Sequence, residues 1–186
     1  MNLCYNEREL TCEFSGAQHR ERRQSRLSRE IHRDFLKRTN YMENICLAYT
    51  LSVENYIGLC LSAGWPKPDK KQSTKSLQNS DYLVSAIDEK SGKVVGMGRS
   101  VGDGAMAEMI IDVVVHPEYQ SMGIGTCMIN DLIERIKNQV QSGQKVMITL
   151  VAALGKEKFY EKFGFTSHPN ESYGNGMYLW HMKSLS

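Results

Sequence analysis

Residues 112–125, DVVVHPEYQSMGIG, constrain the fold more than any other stretch of the chain. An apolar run ends at Val115, and Pro117 stops it because proline lacks the N–H that a strand interior needs. The turn at residues 120–125 then opens a long helix, which apolar residues at four-residue steps predict over residues 123–140. A helix start leaves backbone N–H groups without intrahelical partners and carries partial positive charge. The sequence therefore predicts a phosphate or pyrophosphate site at this turn.

The order of the predicted elements before this turn indicates an α/β fold. An apolar run at residues 45–51 predicts a first strand, and Ser52 predicts the N-cap of the helix that follows it. Apolar runs on both sides of a turn with Gly92 predict a hairpin, and the strand that ends at Val115 comes next. The polar residues 67–80 are interpreted as a surface loop with room for a short helix.

The elements predicted after the long helix are short. A continuous apolar run at residues 146–152 predicts a strand that lies between other strands. A short helix is predicted at residues 156–163, and candidate final strands at residues 165–166 and 177–182. We therefore expect a single-domain α/β fold with a mixed, mostly antiparallel sheet of six to seven strands and helices on both faces.

The first 41 residues differ in composition from the rest of the chain. They are rich in Arg, Ser, His and Glu, and only Leu27, Ile31 and Phe35 recur at helical spacing. We interpret residues 1–41 as a basic arm that is partly disordered or helical, and residues 42–186 as the compact domain. The formal net charge of +2 is too small to favour nucleic acid or an anionic membrane as a partner. No apolar run approaches the roughly 20 residues that span a bilayer.

The cysteines bear on metal binding and on the compartment. The chain has five, an odd number, and they show neither CxxC nor Cys/His ligand spacing. This pattern indicates reduced thiols and no metal site. The N-terminus has no apolar h-region, and acidic residues interrupt its basic stretch, which argues against a signal or transit peptide. The cytoplasm is the expected location.

Two motifs together resemble the GNAT superfamily of acetyl-CoA-dependent N-acetyltransferases. They are HPEYQSMGIG at residues 116–125 and FYEKFGF at residues 159–165. The resemblance covers about residues 42–182. Within the superfamily, these motifs are similar to those of small bacterial members and of plant-type serotonin N-acetyltransferases. The resemblance implies transfer of an acetyl group from acetyl-CoA to a small-molecule primary amine by direct attack. An arylalkylamine is the suggested acceptor, and a homodimer remains open.

The resemblance also implies how the chain binds its cosubstrate. It assigns the CoA pyrophosphate to the turn that begins at Gln120, through the backbone N–H groups of Ser121, Met122, Gly123, Ile124, Gly125 and Thr126. The main chains of Val113, Val114 and Val115 would pair with the pantetheine arm as an added strand. Phe159 is also placed at the cofactor. Many relatives carry an asparagine after the fifth strand, whereas residues 151–155 read VAALG here, so no side-chain contact is expected from that side.

Three residues are candidates for proton transfer. Tyr160 occupies the position of the family's general acid, which protonates the departing thiolate; the alternative is an aromatic side chain packed in the core. Asp112 is the first candidate base, because it is a lone carboxylate in an apolar run, where burial raises the pKa of a carboxyl group. The alternative is an Asp bonded to backbone at a strand irregularity. Glu108, in phase with Asp112 on the same strand, is the second candidate base. Less favoured are His116 as a base and Cys127 as a thiolate.

Other functions remain open at this point. Trp65, Tyr56, Tyr82 and the loop at residues 167–175 either line an aromatic acceptor pocket or are ordinary core and surface residues. Aminoglycosides, polyamines, protein N-termini and protein lysines are alternative acceptors. A non-catalytic acyl-CoA-binding regulatory module with the same fold is the alternative from a different functional class.

Overall fold

A single sheet of five strands organises residues 44–180, the part of the chain that the computed structural model describes. The strands are β1 (Ile45–Ala48), β2 (Tyr82–Asp88), β3 (Lys93–Gly102), β4 (Ala107–Val115) and β5 (Met147–Leu150). They lie in the order β1-β2-β3-β4-β5, and every pair is antiparallel except β4 and β5, which are parallel. The predicted hairpin and the strand ending at Val115 are confirmed. The predicted arm at residues 1–41 lies outside the described residues.

The expectation of six to seven strands is not confirmed. Residues 165–166 and 177–180 form no strand, and residues 181–182 lie outside the described part. As a result, β5 has only β4 as a neighbour within residues 44–180, although its apolar sequence predicts a place between two strands. Met147, at the start of β5, is accordingly half exposed.

Four helices cover the two faces of the sheet within the described residues. They are α1 (Val53–Ser62), α2 (Lys70–Gln78), α3 (Ile124–Asn138) and α4 (Glu157–Glu161). The apolar stripe of α3 is buried against β2, β3 and β4, in a core that includes Val84 and Ile110. On the opposite face, α1 packs against Met97 and Val114. Helices on both faces are therefore confirmed, and no helix among these residues is long and apolar enough to cross a bilayer.

Local capping explains where the first two helices begin. Ser52 is extended, and its Oγ accepts a hydrogen bond from the Asn55 backbone N–H at 3.1 Å, as the sequence predicts for α1. The same geometry starts α2, where an Asp69 carboxylate oxygen accepts from the Gln72 backbone N–H at 2.8 Å. The region interpreted as a surface loop with room for a short helix thus contains a nine-residue helix. Its polar composition hides it from a search for apolar periodicity.

A β-bulge divides β4 into two halves. Met97 of β3 pairs with Val114, but Arg99 pairs with Ile111, so Asp112 and Val113 together lie opposite Gly98. Asp112 takes up the extra residue in a left-handed conformation, with φ of +54°. The bulge changes which side chains face which side of the sheet beyond it.

The bulge overturns the expectation that Glu108 and Asp112 are in phase. Before the bulge, Ile110 faces α3. Glu108 lies on that same face, because the strand alternates sides at each residue. Asp112 instead contacts Tyr56 of α1, on the other side of the sheet. The two carboxylates therefore do not share a site.

Candidate functional site

The turn before α3 has the shape that its glycines predict. After a short 3-10 helix at Pro117–Tyr119, Gln120 is extended and Ser121 is left-handed, with φ of +63°. Gly123 is the N-cap of α3 and has φ of +91°, a conformation that glycine adopts without the strain of a Cβ atom.

Six consecutive backbone N–H groups are free at this turn. Within residues 44–180, no hydrogen-bond acceptor faces the backbone N–H groups of Ser121, Met122, Gly123, Ile124, Gly125 and Thr126. The first paired N–H of α3 belongs to Cys127, which donates to the Gly123 carbonyl at 3.1 Å. No side chain caps the helix. Unpaired donors at a helix N-terminus suit a pyrophosphate, so these residues fit the CoA group that the sequence predicts.

The second half of β4 leaves a free backbone edge beside this turn. Pairing of β4 with β5 ends at Ile110 and Leu150, so residues 113–115 extend past the last rung without a strand partner on that side within the described residues. The Gln120 side chain donates from Nε2 to the Val115 carbonyl at 3.0 Å and ties the turn to the strand. An extended ligand such as a pantetheine arm can pair with an edge of this kind.

Helix α4 brings two aromatic residues to the start of α3. The Phe159 ring packs on Gly125, where a Cβ atom would lie 3.4 Å from the ring, at the limit of ordinary van der Waals contact. The Tyr160 ring packs edge-on against Phe159, at 5.0 Å between centroids, and against Phe165 at 6.2 Å. Burial raises the pKa of Tyr160. Within residues 44–180 the Tyr160 hydroxyl makes no hydrogen bond to the protein.

Asp112 is not the isolated carboxylate that its sequence context indicates. Its Oδ2 accepts from Arg99 Nε at 2.6 Å and from the Tyr56 hydroxyl at 2.9 Å. The Arg99 and Asp112 side chains are 10% and 21% exposed, so this ion pair is largely shielded from solvent. Arg99 is the residue that sequence reasoning missed here, whereas Tyr56 was considered only for an aromatic acceptor pocket and not as a partner of Asp112. The available signal was Arg99 itself, the only charged residue within the run VVGMGRSVG of β3.

Glu108 is buried on the opposite face, next to Gly102. Only 1% of the residue is exposed, and neither carboxylate oxygen has a hydrogen-bond partner within the described residues. Burial raises its pKa, with smaller contributions in the same direction from the charges of Asp81 and Asp103. The side chains of Ser100 and Gln139 lower the pKa of Glu108 and so oppose this shift.

The less favoured candidates are engaged elsewhere or packed. The His116 Nε2 lies 3.3 Å from Lys93 Nζ at the hairpin turn. Burial raises the pKa of the Cys127 thiol, which disfavours the thiolate. Tyr82 donates to Gln139 at 3.0 Å on the α3 face, away from Asp112, and residues 167–175 are exposed. Of the aromatic residues considered for an acceptor pocket, Tyr56 contacts Asp112, whereas Trp65 is 38% exposed beyond the end of α1.

No group of three or more His, Cys, Asp or Glu side chains capable of holding a metal ion occurs in residues 44–180. Three of the cysteines, Cys46, Cys60 and Cys127, are free thiols. Cys4 and Cys12 lie outside the described residues.

Comparisons with known proteins identify N-acetyltransferases among the relatives of this chain. Among curated proteins, the uncharacterized N-acetyltransferase ycf52 of Pyropia yezoensis is 36% identical over 114 residues, which are 60% of this chain and 63% of that protein. GCN5-related N-acetyltransferase 1, chloroplastic, of Arabidopsis thaliana is 31% identical over 123 residues, 64% of this chain and 59% of that protein. The matched region thus spans less than two thirds of the length of either relative.

Solved structures share the fold. A Staphylococcus aureus protein described as a probable acetyltransferase has a TM-score of 0.64 and 30% identity, over 74% of this chain and 99% of that one. A GNAT family acetyltransferase from Streptococcus pneumoniae has a TM-score of 0.59 and 23% identity, over 75% and 98% of the two chains. The family model for the acetyltransferase (GNAT) domain matches residues 63–186. The chain therefore belongs to the GNAT family of N-acetyltransferases.

Proposed function

We propose that this chain transfers an acetyl group from acetyl-CoA to a primary amine by direct attack, without a covalent acyl-enzyme. The observation that carries the proposal is the set of six free backbone N–H groups at the start of α3, next to the free edge of β4. The first suits a pyrophosphate and the second suits an extended amide-containing arm. Together they match the pyrophosphate and the pantetheine arm of CoA, two neighbouring parts that main-chain groups can bind.

Each part of this site has a defined task in the proposal. The backbone N–H groups from Ser121 to Thr126 bind the pyrophosphate, and the main chains of Val113, Val114 and Val115 hold the pantetheine arm. Acetyl-CoA supplies the thioester. A main-chain N–H near the bulge polarises the thioester carbonyl. The ring of Phe159, packed at Gly125, closes the cofactor site on the α4 side.

Proton transfer is assigned to Tyr160. The amine nitrogen forms a bond to the carbonyl carbon, the C–S bond breaks, and the thiolate takes a proton, so that the products are an amide and free CoA thiol. Tyr160 donates that proton and recovers one from the nitrogen through solvent. A tyrosine is protonated at neutral pH, as a proton donor requires, and burial moves the pKa of Tyr160 further above neutrality.

Asp112 and Glu108 have separate places in the proposal. Asp112 lies at the bulge on the α1 face, and we assign it to binding the attacking amine. The Arg99 guanidinium compensates the negative charge of its carboxylate. Glu108 lies on the α3 face, buried and unpartnered within the described residues. Its role as a base therefore requires a water chain around the strand, and it stays the second candidate.

A small aromatic or apolar amine is the acceptor class we propose. Asp112 borders a narrow cleft whose apolar lining includes Leu51, Leu77 and Met97. The cleft is too narrow to hold even a water molecule, so the acceptor would cover its mouth rather than enter it. One relative, serotonin N-acetyltransferase 2, chloroplastic, of Oryza sativa, is 26% identical over 117 residues. Another is named histone acetyltransferase TAP1 of Glycine max, at 31% identity over 121 residues. Because that relative is named for a protein substrate, lysines of proteins are the alternative acceptor class.

The test is a thiol-release assay with acetyl-CoA and a panel of amines, run beside calorimetric titration of acetyl-CoA. The panel contains phenethylamine, tryptamine, serotonin, spermidine, a peptide with a free N-terminus and a lysine peptide. We expect acetyl-CoA binding and turnover on at least one arylalkylamine. Binding without turnover on any amine would contradict the enzyme and favour the acyl-CoA-binding regulatory module.

The cytoplasm is the compartment we propose, because the sequence predicts it. The chloroplast is the alternative, because the names of relatives from Arabidopsis thaliana and Oryza sativa include the word chloroplastic. Fractionation of cells that produce the full chain, with markers for both compartments, distinguishes the two.

A further inference from the structure

The two oxygens of the Asp112 carboxylate have different surroundings. Oδ2 accepts both the Arg99 and the Tyr56 hydrogen bonds. Oδ1 makes no hydrogen bond within residues 44–180, while the side chain remains 21% exposed at the edge of the narrow cleft on the α1 face. One oxygen is therefore committed to the protein and the other is open to a ligand.

Arg99 and Tyr56 are themselves fixed by the elements around them. Arg99 Nη1 lies 3.4 Å from the Ser76 carbonyl of α2 and 3.3 Å from Ser80 Oγ. Tyr56 is only 8% exposed on α1, and burial followed by the charge of Asp112 raises its pKa, so its hydroxyl stays a donor. These contacts tie α1, α2 and β3 to one residue of the bulge.

The residue they hold is conformationally unusual. Asp112 has φ of +54°, which costs a residue with a Cβ atom roughly 1–2 kcal/mol. Aspartate tolerates this region better than most residues, and a fixed carboxylate adds to that tolerance. The bulge in turn sets the direction of the free edge at Val113–Val115.

We propose that Arg99 and Tyr56 are positioning residues that act through Asp112, holding it in the bulge and directing Oδ1 to accept an N–H from the attacking amine. The inference rests on the proposed acetyl transfer and deepens it. In this arrangement Oδ2 pairs with Arg99, and Oδ1 of the same carboxylate orients the amine. The acceptor is then a primary amine whose apolar body packs over the mouth of the cleft that Leu51, Leu77 and Met97 form, because the cleft itself is too narrow to admit it.

Substitutions at position 112 separate the backbone role from the role of Oδ1. Glycine adopts a positive φ freely, so Asp112→Gly should bind acetyl-CoA within about twofold of the parent. It lacks Oδ1, so kcat/KM for the amine should fall roughly 10- to 100-fold, the worth of a hydrogen bond to a charged group. Asp112→Ala should show the same loss and also bind acetyl-CoA about fivefold or more weakly, because alanine is strained at this φ.

The positioning role is tested by a double-mutant cycle. Arg99→Met and Tyr56→Phe should each lower the amine kcat/KM, by roughly 10-fold and 3-fold respectively. Neither should lower it further in the Asp112→Gly background, since both act through Asp112. Arg135→Met is the matched control: Arg135 pairs with Asp131 at 3.6 Å on α3, on the other face of the sheet. It should leave the amine KM and kcat unchanged in both backgrounds.

Each outcome decides the inference. Equal losses from Arg99→Met in the parent and in Asp112→Gly, or full amine turnover in Asp112→Gly, overturn it. If Asp112→Gly does not fold, Tyr56→Phe decides alone, because unchanged amine kcat/KM in that variant overturns the inference. A parent protein that acetylates no amine in the panel instead contradicts the proposed function. The two failures are therefore distinguishable.

Discussion

Tyr160 is partly buried, and its hydroxyl has no protein hydrogen-bond partner within the described residues. We therefore expect removal of this hydroxyl to change kcat strongly. Tyr160→Phe preserves the ring contacts with Phe159 and Phe165. We expect kcat to fall roughly 100-fold, in the range of general acid catalysis, with acetyl-CoA affinity unchanged. Stopped-flow turnover beside calorimetric titration measures both. Tyr173→Phe, at an exposed loop position, is the control, and equal kcat in both variants would remove Tyr160 from the mechanism.

Glu108 predicts a pH dependence of stability. Its folded-state pKa is raised by burial, so folding favours the protonated form and stability falls as the pH rises above the ordinary range of glutamate, about 4.3. Glu108→Gln removes this pH-dependent loss of stability, because glutamine does not ionise. We expect the variant to gain about 1 kcal/mol over the parent in free energy of unfolding at pH 8, and the gain to vanish by pH 4.

Urea unfolding at several pH values measures this gain. Glu134→Gln is the control, because Glu134 is an exposed carboxylate that pairs with Lys137 at 3.1 Å on α3. A pH-independent difference for Glu108→Gln would contradict the burial argument. The same variant tests the second candidate base, since a base role also requires kcat to fall.

At the scale of elements, the start of α3 predicts that strain and ligand binding are separable. Gly123→Ala places a Cβ atom at φ of +91°, and Gly104→Ala does the same at +70° in the loop between β3 and β4. Both should lower the free energy of unfolding by roughly 1–2 kcal/mol. Only Gly123→Ala should weaken acetyl-CoA binding, by about tenfold, because only that residue helps form the row of free N–H groups. Equal affinities in the two variants would place the cofactor elsewhere.

The elements differ in how far their sequences predict them. Helix α3 follows from apolar residues at four-residue steps, and α1 follows from its cap at Ser52, because both signals are local. Helix α2 has only Ser73 buried and is held by tertiary contacts, among them the approach of Arg99 to the Ser76 carbonyl. No local pattern contains that contact, so the sequence indicates a polar loop with room for a short helix but does not give the bounds of α2.

At the scale of the whole molecule, a single bulge decides which residues form the candidate site. The run Met109–Val115 looks like an uninterrupted strand, and simple alternation places Glu108 and Asp112 on one face. The extra residue opposite Gly98 separates them, and Arg99 and Tyr56 become the partners of Asp112 instead. The shape of the turn at residues 120–125 was predictable because the turn lies within one contiguous motif. The surroundings of Asp112 were not, because β3, β4 and α1 each contribute one residue to them.

The exposed apolar surface at residues 177–180 predicts self-association. Met177, Tyr178, Leu179 and Trp180 are 85–96% exposed, and consecutive apolar side chains open to solvent are typical of an interaction surface. A second copy of the chain can cover them, which matches the homodimer left open by the sequence. We expect sedimentation velocity at micromolar concentrations to show a dimer, and the double variant Leu179→Ser, Trp180→Ser to sediment as a monomer. Met106→Ser changes an exposed side chain in the loop between β3 and β4 and should leave the dimer intact. A parent protein that is monomeric throughout this range would show that residues 177–180 do not mediate association between copies.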